Sequence, residues 1–286
     1  MLDLEQLNTP VNPAHGSTLP NLVDPTLIAK KINDFQPIPH AAQEIIALAN
    51  SEGANADQFE KLFQKDQILT SQLLKMANSP FFRRNSDVNT IPRAIVVLGI
   101  NSVKTLVLAN YSLKALDTDA SVYGHPTGGL RDHSLACAAI AQQLAKRDRN
   151  RAIVDELFVA GLLHDIGKVV LGPLLTDMQC VDNETVLQFE QRLTQTDHTQ
   201  VARTLLDTWR ISGNIADWIL NHHEVVDGPE KYIRQANALA TFWGYGLPDG
   251  YPFTSSENFN DGEFNEVDLD ELRVDVEAQL EGMDLG

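Results

Sequence analysis

The chain has 286 residues, a formal net charge of −17 and 43% hydrophobic residues. This hydrophobic content suffices for one large packed domain or two smaller ones, and the negative charge argues against a nucleic-acid partner, because phosphate backbones are bound chiefly by Lys and Arg. No run of about 18 apolar residues occurs, and the first 20 residues lack the basic start and apolar run of a signal peptide. The sequence therefore predicts a cytoplasmic protein with no membrane partner.

The pattern of apolar residues, prolines and glycines divides the chain into four segments. Residues 1–20 contain three prolines and little periodicity, which predicts an extended N-terminal arm. Residues 21–117 have helical spacing interrupted at Gly99, with one helix capped near Asn55, and are predicted to form an N-terminal helical subdomain. Residues 118–245, joined through a turn-rich stretch at 117–129, form a second helical subdomain. No segment has a convincing strand pattern, so the predicted fold is all-α.

The last segment, residues 246–286, is predicted to be an acidic tail. Residues 251–286 carry eleven acidic residues and one basic residue, Arg273, so −10 of the net charge of −17 lies there. Within this tail, residues 269–280 could form a peripheral helix. The two cysteines, Cys137 and Cys180, are too few for a disulfide framework, and we expect both to be reduced, with Cys137 a small core residue.

The most informative motif is AGLLHDIGK at residues 160–168. Adjacent helical residues point about 100° apart, so His164 and Asp165 can face one metal only near a helix end or a kink, which Gly167 is well placed to make. Lys168 would then lie beside an anion held at the metal. The apolar residues 169–171 are predicted to continue as helix.

Further histidines lie both upstream and downstream of this motif. His133 has helical spacing with Cys137 and is therefore predicted on a buried helix face, and His198, His222 and His223 follow the motif. Nitrogen and oxygen donors of this kind suit Fe, Mn, Zn or Mg. The alternative for each histidine is a core residue or a helix cap. The remaining histidines, His15, His40 and His125, are assigned no role.

Several sequence blocks resemble the HDOD family, the HD-related output domains of bacterial signalling proteins, over residues 25 to 243. The blocks are Gln36-Pro37-Ile38-Pro39, LTSQLLKMANS at 69–79, IPRAIVVLG at 91–99, AGLLHDIGK at 160–168, Asp197-His198, Trp209 and His222-His223. The resemblance implies an all-helical fold in which the N-terminal helical subdomain packs on an HD-like bundle at residues 118–245. It also implies metal ligands at His133, His164, Asp165, His198, His222 and His223.

Two departures from the related HD-GYP phosphodiesterases bear on activity. The final aspartate of the HD motif should fall in an Ala-Asp pair on the last packed helix, where this chain has Ala236-Asn237. His222-His223 also begins the second signature motif of that family, but no Gly-Tyr-Pro follows. An amide binds a hard or borderline cation less well than a carboxylate does.

The sequence therefore favours a bacterial signalling module that binds a protein partner or a small phosphorylated ligand. Its His/Asp site is expected to be able to hold a divalent metal and to be weakly active or inactive as an enzyme. The competing hypothesis is a metal-dependent phosphohydrolase that acts through metal-activated water, with Asp165 and Lys168 as catalytic residues. A third is a structural scaffold in which a metal only joins helices.

Overall fold

A computed structural model of the chain describes residues 23–35, 38–78, 87–209, 211, 213–247, 253, 264 and 267–282. The predicted arm at 1–20 lies outside the described residues, as do Gln36 and Pro37. The described part of the chain contains helices and turns and no strand, apart from one isolated bridge between Ala120 and His125. The prediction of an all-α fold is confirmed.

The described residues form fourteen α-helices. The N-terminal helices are α1 (Pro25–Asp34), α2 (His40–Ala49), α3 (Ala56–Phe63), α4 (Gln67–Ala77), α5 (Ile91–Leu98) and α6 (Ile100–Leu116). The helices that follow are α7 (Gly129–Arg147), α8 (Val154–Leu163), α9 (Lys168–Leu175), α10 (Val186–Thr194), α11 (His198–Thr208), α12 (Asn214–Leu220), α13 (Glu230–Phe242) and α14 (Leu269–Gly282).

Local sequence signals explain several of these boundaries. The Asn55 side chain accepts a hydrogen bond from the Gln58 backbone N–H, and the Gln58 side chain accepts one from the Asn55 N–H, so α3 begins with a capping box at the predicted cap. Gly99 has a φ of 80°, a conformation that favours glycine, and the axes of α5 and α6 differ by 106° across it. The predicted break at Gly99 is therefore confirmed.

One hydrophobic core runs through the described helices. The long helix α7 packs against α8, α13 and α14, and α6 contacts both α7 and α8. The side chains of α6 and α8 thus join the core of the N-terminal helices to that of the histidine-bearing helices. The division into two subdomains remains a prediction, since the core is continuous across residue 117.

The stretch Arg151–Leu175 is strongly apolar. By length and composition it could cross a membrane. However, 83% of its most apolar 18-residue segment is buried inside the protein, as in the core helix of a helical bundle. Residues 169–171 lie in α9, as predicted, and this helix continues through Pro173. Leu171 and Leu175 are fully buried, and their packing offsets the lost backbone hydrogen bond.

The helix α14 shows that part of the acidic tail belongs to the packed body. Leu272 and Val276 are fully buried where α14 meets α7. The rim of this contact is polar, with an ion pair of 2.8 Å between Arg147 and Asp275 and a hydrogen bond of 2.6 Å from Gln143 to Gln279.

Candidate metal centre

The turn between α8 and α9 positions the His164-Asp165 pair. The helix α8 ends at Leu163, residues 164–167 form the turn, and α9 begins at Lys168. A Cβ atom at Gly167 would lie 2.8 Å from the His198 Cα and would clash with the His198 carbonyl group. Gly167 therefore acts by its lack of a side chain, because its own φ of −64° is ordinary helical backbone. The turn leaves His164 Nε2 and Asp165 Oδ2 3.3 Å apart.

His164 and His222 are oriented in the same way at the ends of their helices. His164 Nδ1 lies 2.7 Å from the Gly161 carbonyl oxygen, and His222 Nδ1 lies 2.6 Å from that of Ile219. In each case Nδ1–H donates to the carbonyl, which leaves the lone pair on Nε2. Both side chains are fully buried, and both Nε2 atoms lack a hydrogen-bond partner. The two rings therefore offer lone pairs of the kind that a metal binds.

His198 is held by a carboxylate that the sequence analysis missed. Glu190 is fully buried on α10, and its Oε2 lies 2.7 Å from His198 Nδ1 and accepts a 2.8 Å bond from the His198 backbone N–H. The Tyr123 hydroxyl donates to its other oxygen at 2.8 Å. The signal was present in the sequence, because Glu190 lies on the apolar face of α10 beside Phe189. His198 Nε2 in turn lies 3.0 Å from His223 Nε2.

Asp165 lies at the middle of the cluster. Its Oδ1 is 3.3 Å from His198 Nε2, and its Oδ2 accepts a 2.7 Å bond from Lys168 Nζ. Burial raises the pKa of the Asp165 carboxyl, but neighbouring positive charge, including that of Lys168 2.7 Å away, outweighs that effect and holds the pKa well below its usual range. Lys168 is itself buried and lies over the Tyr123 ring at 5.4 Å. The cation predicted to face a bound anion thus faces Asp165.

His133 completes the cluster from α7. Its Nε2 lies 3.0 Å from Asn237 Oδ1, 3.5 Å from Cys137 Sγ and 3.8 Å from Asp165 Oδ2. Asn237 therefore occupies the position by the site that the resemblance implied for an aspartate. Burial, and then the neighbouring His125, lower the pKa of His133 well below its usual range. The imidazole is accordingly neutral at pH 7 and keeps a lone pair.

His125, which was assigned no role, is fully buried beside His133, with ring centroids 5.1 Å apart. Its Nδ1 lies 3.1 Å from the Gly246 carbonyl oxygen. Burial, followed by the charge of Lys168, lowers the pKa of His125 to about 4. It was missed because it lies in a turn, where sequence spacing gives no direction for the side chain.

The structure brings together the six residues that the sequence analysis predicted as metal ligands. Three groups of side chains have donor atoms within 4.8 Å of one another. They are His164, Asp165 and His222; His198, His222 and His223; and His133, Cys137 and His164. Burial lowers the pKa of His222, as it does that of His133, so these imidazoles are uncharged donors. Buried lone pairs without partners around one carboxylate fit a divalent metal.

These features define a class of all-helical proteins with a buried cluster of histidines around one aspartate. The HDOD domain model matches residues 35–225, more than half of the chain. The chain belongs to the HDOD family.

Two curated relatives match parts of the chain. A protein of Treponema pallidum, described as uncharacterized, is 23% identical over 215 residues, which are 72% of this chain and 40% of that protein. A cyclic di-GMP phosphodiesterase of Pseudomonas aeruginosa is 35% identical over 98 residues, which are 34% of this chain and 22% of that protein. The chain thus spans less than half the length of these relatives.

Two solved structures share the fold. An HDOD domain protein of Geobacter sulfurreducens has a TM-score of 0.58 and 22% identity, with 92% of this chain and 98% of that one covered. A proposed phosphohydrolase of Shewanella amazonensis has a TM-score of 0.60 and 20% identity, with 91% and 96% covered. At these identities the likeness concerns the fold.

Proposed function

We propose that the chain is a regulatory module of bacterial signalling whose His/Asp cluster holds a divalent metal without turning over a substrate. The observation that carries this proposal is the closure of the cluster. Asp165, His164, His198 and His222 are fully buried, and Asp165 is paired with Lys168. A phosphoester would have to displace this ion pair and reach side chains that have no contact with solvent.

The nature of the donors supports the same proposal. Asn237 gives the cluster a neutral amide oxygen where a carboxylate would add a second negative charge beside Asp165. Hard cations prefer carboxylate oxygens, and each carboxylate ligand offsets one unit of the metal charge. Among the described residues, Asp165 is already paired with Lys168 and Glu190 is bound to His198, so the cluster is better suited to retaining an ion than to catalysis.

The residues that would hold the ion form donor groups that share His164: one with Asp165 and His222, which His198 and His223 adjoin, and one that includes His133. A bound divalent ion supplies Lewis-acid activation of water or of a phosphoryl oxygen. The chain supplies the rest: the Gly161 and Ile219 carbonyls orient the two buried imidazoles, and Glu190 orients His198. Lys168 neutralises Asp165 when no cation does.

We propose that the module acts through a protein partner or a small phosphorylated ligand bound on its outer surface. The net charge of −17 supports a partner other than nucleic acid or an anionic membrane. The partial coverage of both curated relatives supports a module that works inside or beside larger proteins.

The second candidate function is a metal-dependent phosphohydrolase. Two observations favour it: the unpartnered Nε2 atoms of His164 and His222, and the similarity of part of the chain to a cyclic di-GMP phosphodiesterase. In this case Lys168 would leave Asp165 and contact the phosphate, and a conformational change would open the cluster.

A turnover assay separates the two candidates. The full chain is loaded in turn with Mn²⁺, Fe²⁺ and Zn²⁺ and incubated with cyclic di-GMP and with bis(p-nitrophenyl) phosphate, beside the His164→Ala variant. The regulatory proposal expects no hydrolysis above that of the variant. Hydrolysis by the wild-type chain that the His164→Ala substitution abolishes would establish the phosphohydrolase instead.

A further inference from the structure

The side chain of Cys137 points into the His/Asp cluster from α7, one helical turn after His133. We infer that Cys137 is a metal ligand, which together with His133 and His164 forms a site for a borderline or soft divalent ion such as Zn²⁺, Co²⁺ or Fe²⁺. This inference rests on the proposed function, because it requires that the cluster hold a metal. It assigns to Cys137 a role beyond that of the small core residue predicted from the sequence.

The first support is the distance between the two donors on α7. Two donors on one tetrahedral Zn²⁺, at about 2.3 Å for sulfur and about 2.0–2.1 Å for nitrogen, lie about 3.5 Å apart. The distance between Cys137 Sγ and His133 Nε2 is 3.5 Å. The separation therefore already fits one ion, and both side chains are buried, with 0% and 2% exposure. Without a metal, His133 Nε2–H donates to Asn237 Oδ1, so binding the ion requires the imidazole proton to move to Nδ1.

The third donor is His164, directly after α8, and the close packing of α8 on α7 places it near Cys137. A Cβ atom at Gly161 would lie 2.8 Å from the Ala138 Cα and 3.0 Å from the Cys137 carbonyl carbon, so only glycine permits this approach of α8 to α7. The Gly161 carbonyl also accepts the Nδ1–H of His164. One residue thus sets both the helix separation at Cys137 and the direction of the His164 ring.

The lone pair of His164 distinguishes a metal site from a simple hydrogen bond. A thiol donating to His133 would also give a distance of 3.5 Å, but it would leave His164 Nε2 buried without a partner. Donor atoms of all three residues lie within 4.8 Å of one another. An ion between them would satisfy this nitrogen together with the other two donors.

The charge balance favours a thiolate at this position. Asn237 Oδ1, 3.0 Å from His133 Nε2, supplies no charge, and Asp165 Oδ2 is bound to Lys168. When the metal binds, the thiol proton passes to solvent and the sulfur brings the negative charge that Asn237 lacks. Because thiolates prefer softer ions, the site should select Zn²⁺, Co²⁺ or Fe²⁺ over Mg²⁺ and Mn²⁺.

The test is a Co²⁺ titration of the metal-free full chain, followed by absorption spectroscopy in a reductant that does not bind metal. The wild-type chain should show a near-ultraviolet thiolate-to-Co²⁺ charge-transfer band. The Cys180→Ser variant, the matched control, should keep the band, and the Cys137→Ser variant should lose it. Co²⁺ affinity should fall at least about tenfold in Cys137→Ser, since even loss of a group that supports a ligand costs about 10–100-fold.

Two results would overturn the inference in different ways. Visible Co²⁺ bands without the charge-transfer band would exclude Cys137 as a ligand and leave the proposed metal-holding module intact. No Co²⁺ binding at all would overturn both. If Cys137→Ser does not fold, X-ray absorption of the Zn²⁺-loaded wild-type chain decides: a sulfur neighbour at about 2.3 Å supports the inference, and a shell of nitrogen and oxygen alone overturns it.

Discussion

Asp165 and Lys168 form a salt bridge inside the protein, and its energetics set the character of the site. The two side chains are 2.7 Å apart, with 0% and 3% of their side-chain areas exposed. Burying both charges costs free energy that their attraction only partly offsets, whereas removing one partner leaves the other charge uncompensated. In the absence of a cation, Lys168 is therefore a structural counter-ion of Asp165.

We predict that Lys168→Met lowers the free energy of unfolding of the metal-free chain by about 3–5 kcal/mol, the usual cost of leaving a buried charge unpaired. The measurement is urea unfolding followed by circular dichroism. The control is the double variant Asp165→Asn with Lys168→Met, which should recover most of the loss because no buried charge remains. A loss below about 1 kcal/mol, as for an exposed pair, would contradict this role of Lys168.

The residues that sequence reasoning missed share one physical property. His125 is brought to the cluster by a turn and held by Gly246, 121 positions away in the chain. Cys137 has the spacing of a core residue, and only its contact with His133 gives it a chemical role. Contacts between distant segments leave no mark on local periodicity. Glu190 is the exception, since a charge on an apolar helix face was visible in the sequence.

At the scale of the elements, the close contact between Gly167 and the start of α11 holds the His164-Asp165 turn in place. A methyl group at Gly167 would collide with the backbone of His198, which cannot move away as a flexible side chain could. Gly172, in the helix that follows, offers a matched comparison. A Cβ atom there would make an ordinary contact of 3.5 Å with the Tyr123 ring.

We predict that Gly167→Ala destabilises the chain by about 1–3 kcal/mol or more through overpacking. Gly172→Ala should be neutral or stabilising by up to about 1 kcal/mol, because alanine is the better helix former. Thermal and urea unfolding of the two variants provide the measurement. Equal effects of the two substitutions would show that the backbone contact at Gly167 does not position the turn.

Helix boundaries were the most predictable feature, because the signals for them are local. The cap at Asn55 and the break at Gly99 depend on neighbouring residues alone. The continuation of α9 beyond Pro173 was harder to predict from the sequence, because a proline usually ends or kinks a helix. Burial of Leu171 and Leu175 stabilises the helix on both sides of the proline, and this burial depends on the tertiary fold.

At the scale of the whole molecule, α14 connects the acidic C-terminal segment to the bundle that carries the site. It packs on α7, the helix that contributes His133 and Cys137. The helix expected at 269–280 is present, but the acidic composition gave no sign that Leu272 and Val276 are buried against the core. Composition describes the average of a segment, and burial depends on one face of it.

We predict that Leu272→Ala lowers the free energy of unfolding by about 2–5 kcal/mol, as for other fully buried leucines. Val274→Ala on the same helix, where the side chain is 64% exposed, should change it by less than about 0.5 kcal/mol. Urea unfolding of the full chain measures both. If Leu272→Ala also had no effect, α14 would not be part of the cooperative fold.

The arrangement of the helices around the site could be expected only from the resemblance to the HDOD family. Periodicity placed His133 on a buried face, but nothing in the spacing of the chain could bring it within 3.8 Å of Asp165. The same holds for His198 and His222. Distant segments meet because the helices pack into a bundle. No local pattern in a single sequence shows which segments will meet.

The central claim is that the buried cluster holds a divalent ion, and the metal content of the reconstituted full chain tests it most directly. Wild-type protein is loaded with Zn²⁺ or Fe²⁺, dialysed and measured by mass spectrometry, beside His164→Ala, which removes the donor shared by the two ligand groups, and the exposed-histidine control His40→Ala. At least one retained ion is expected per wild-type and His40→Ala chain, with a clear loss in His164→Ala. Equal metal content in the two variants, or no retained ion in the wild-type chain, would contradict it.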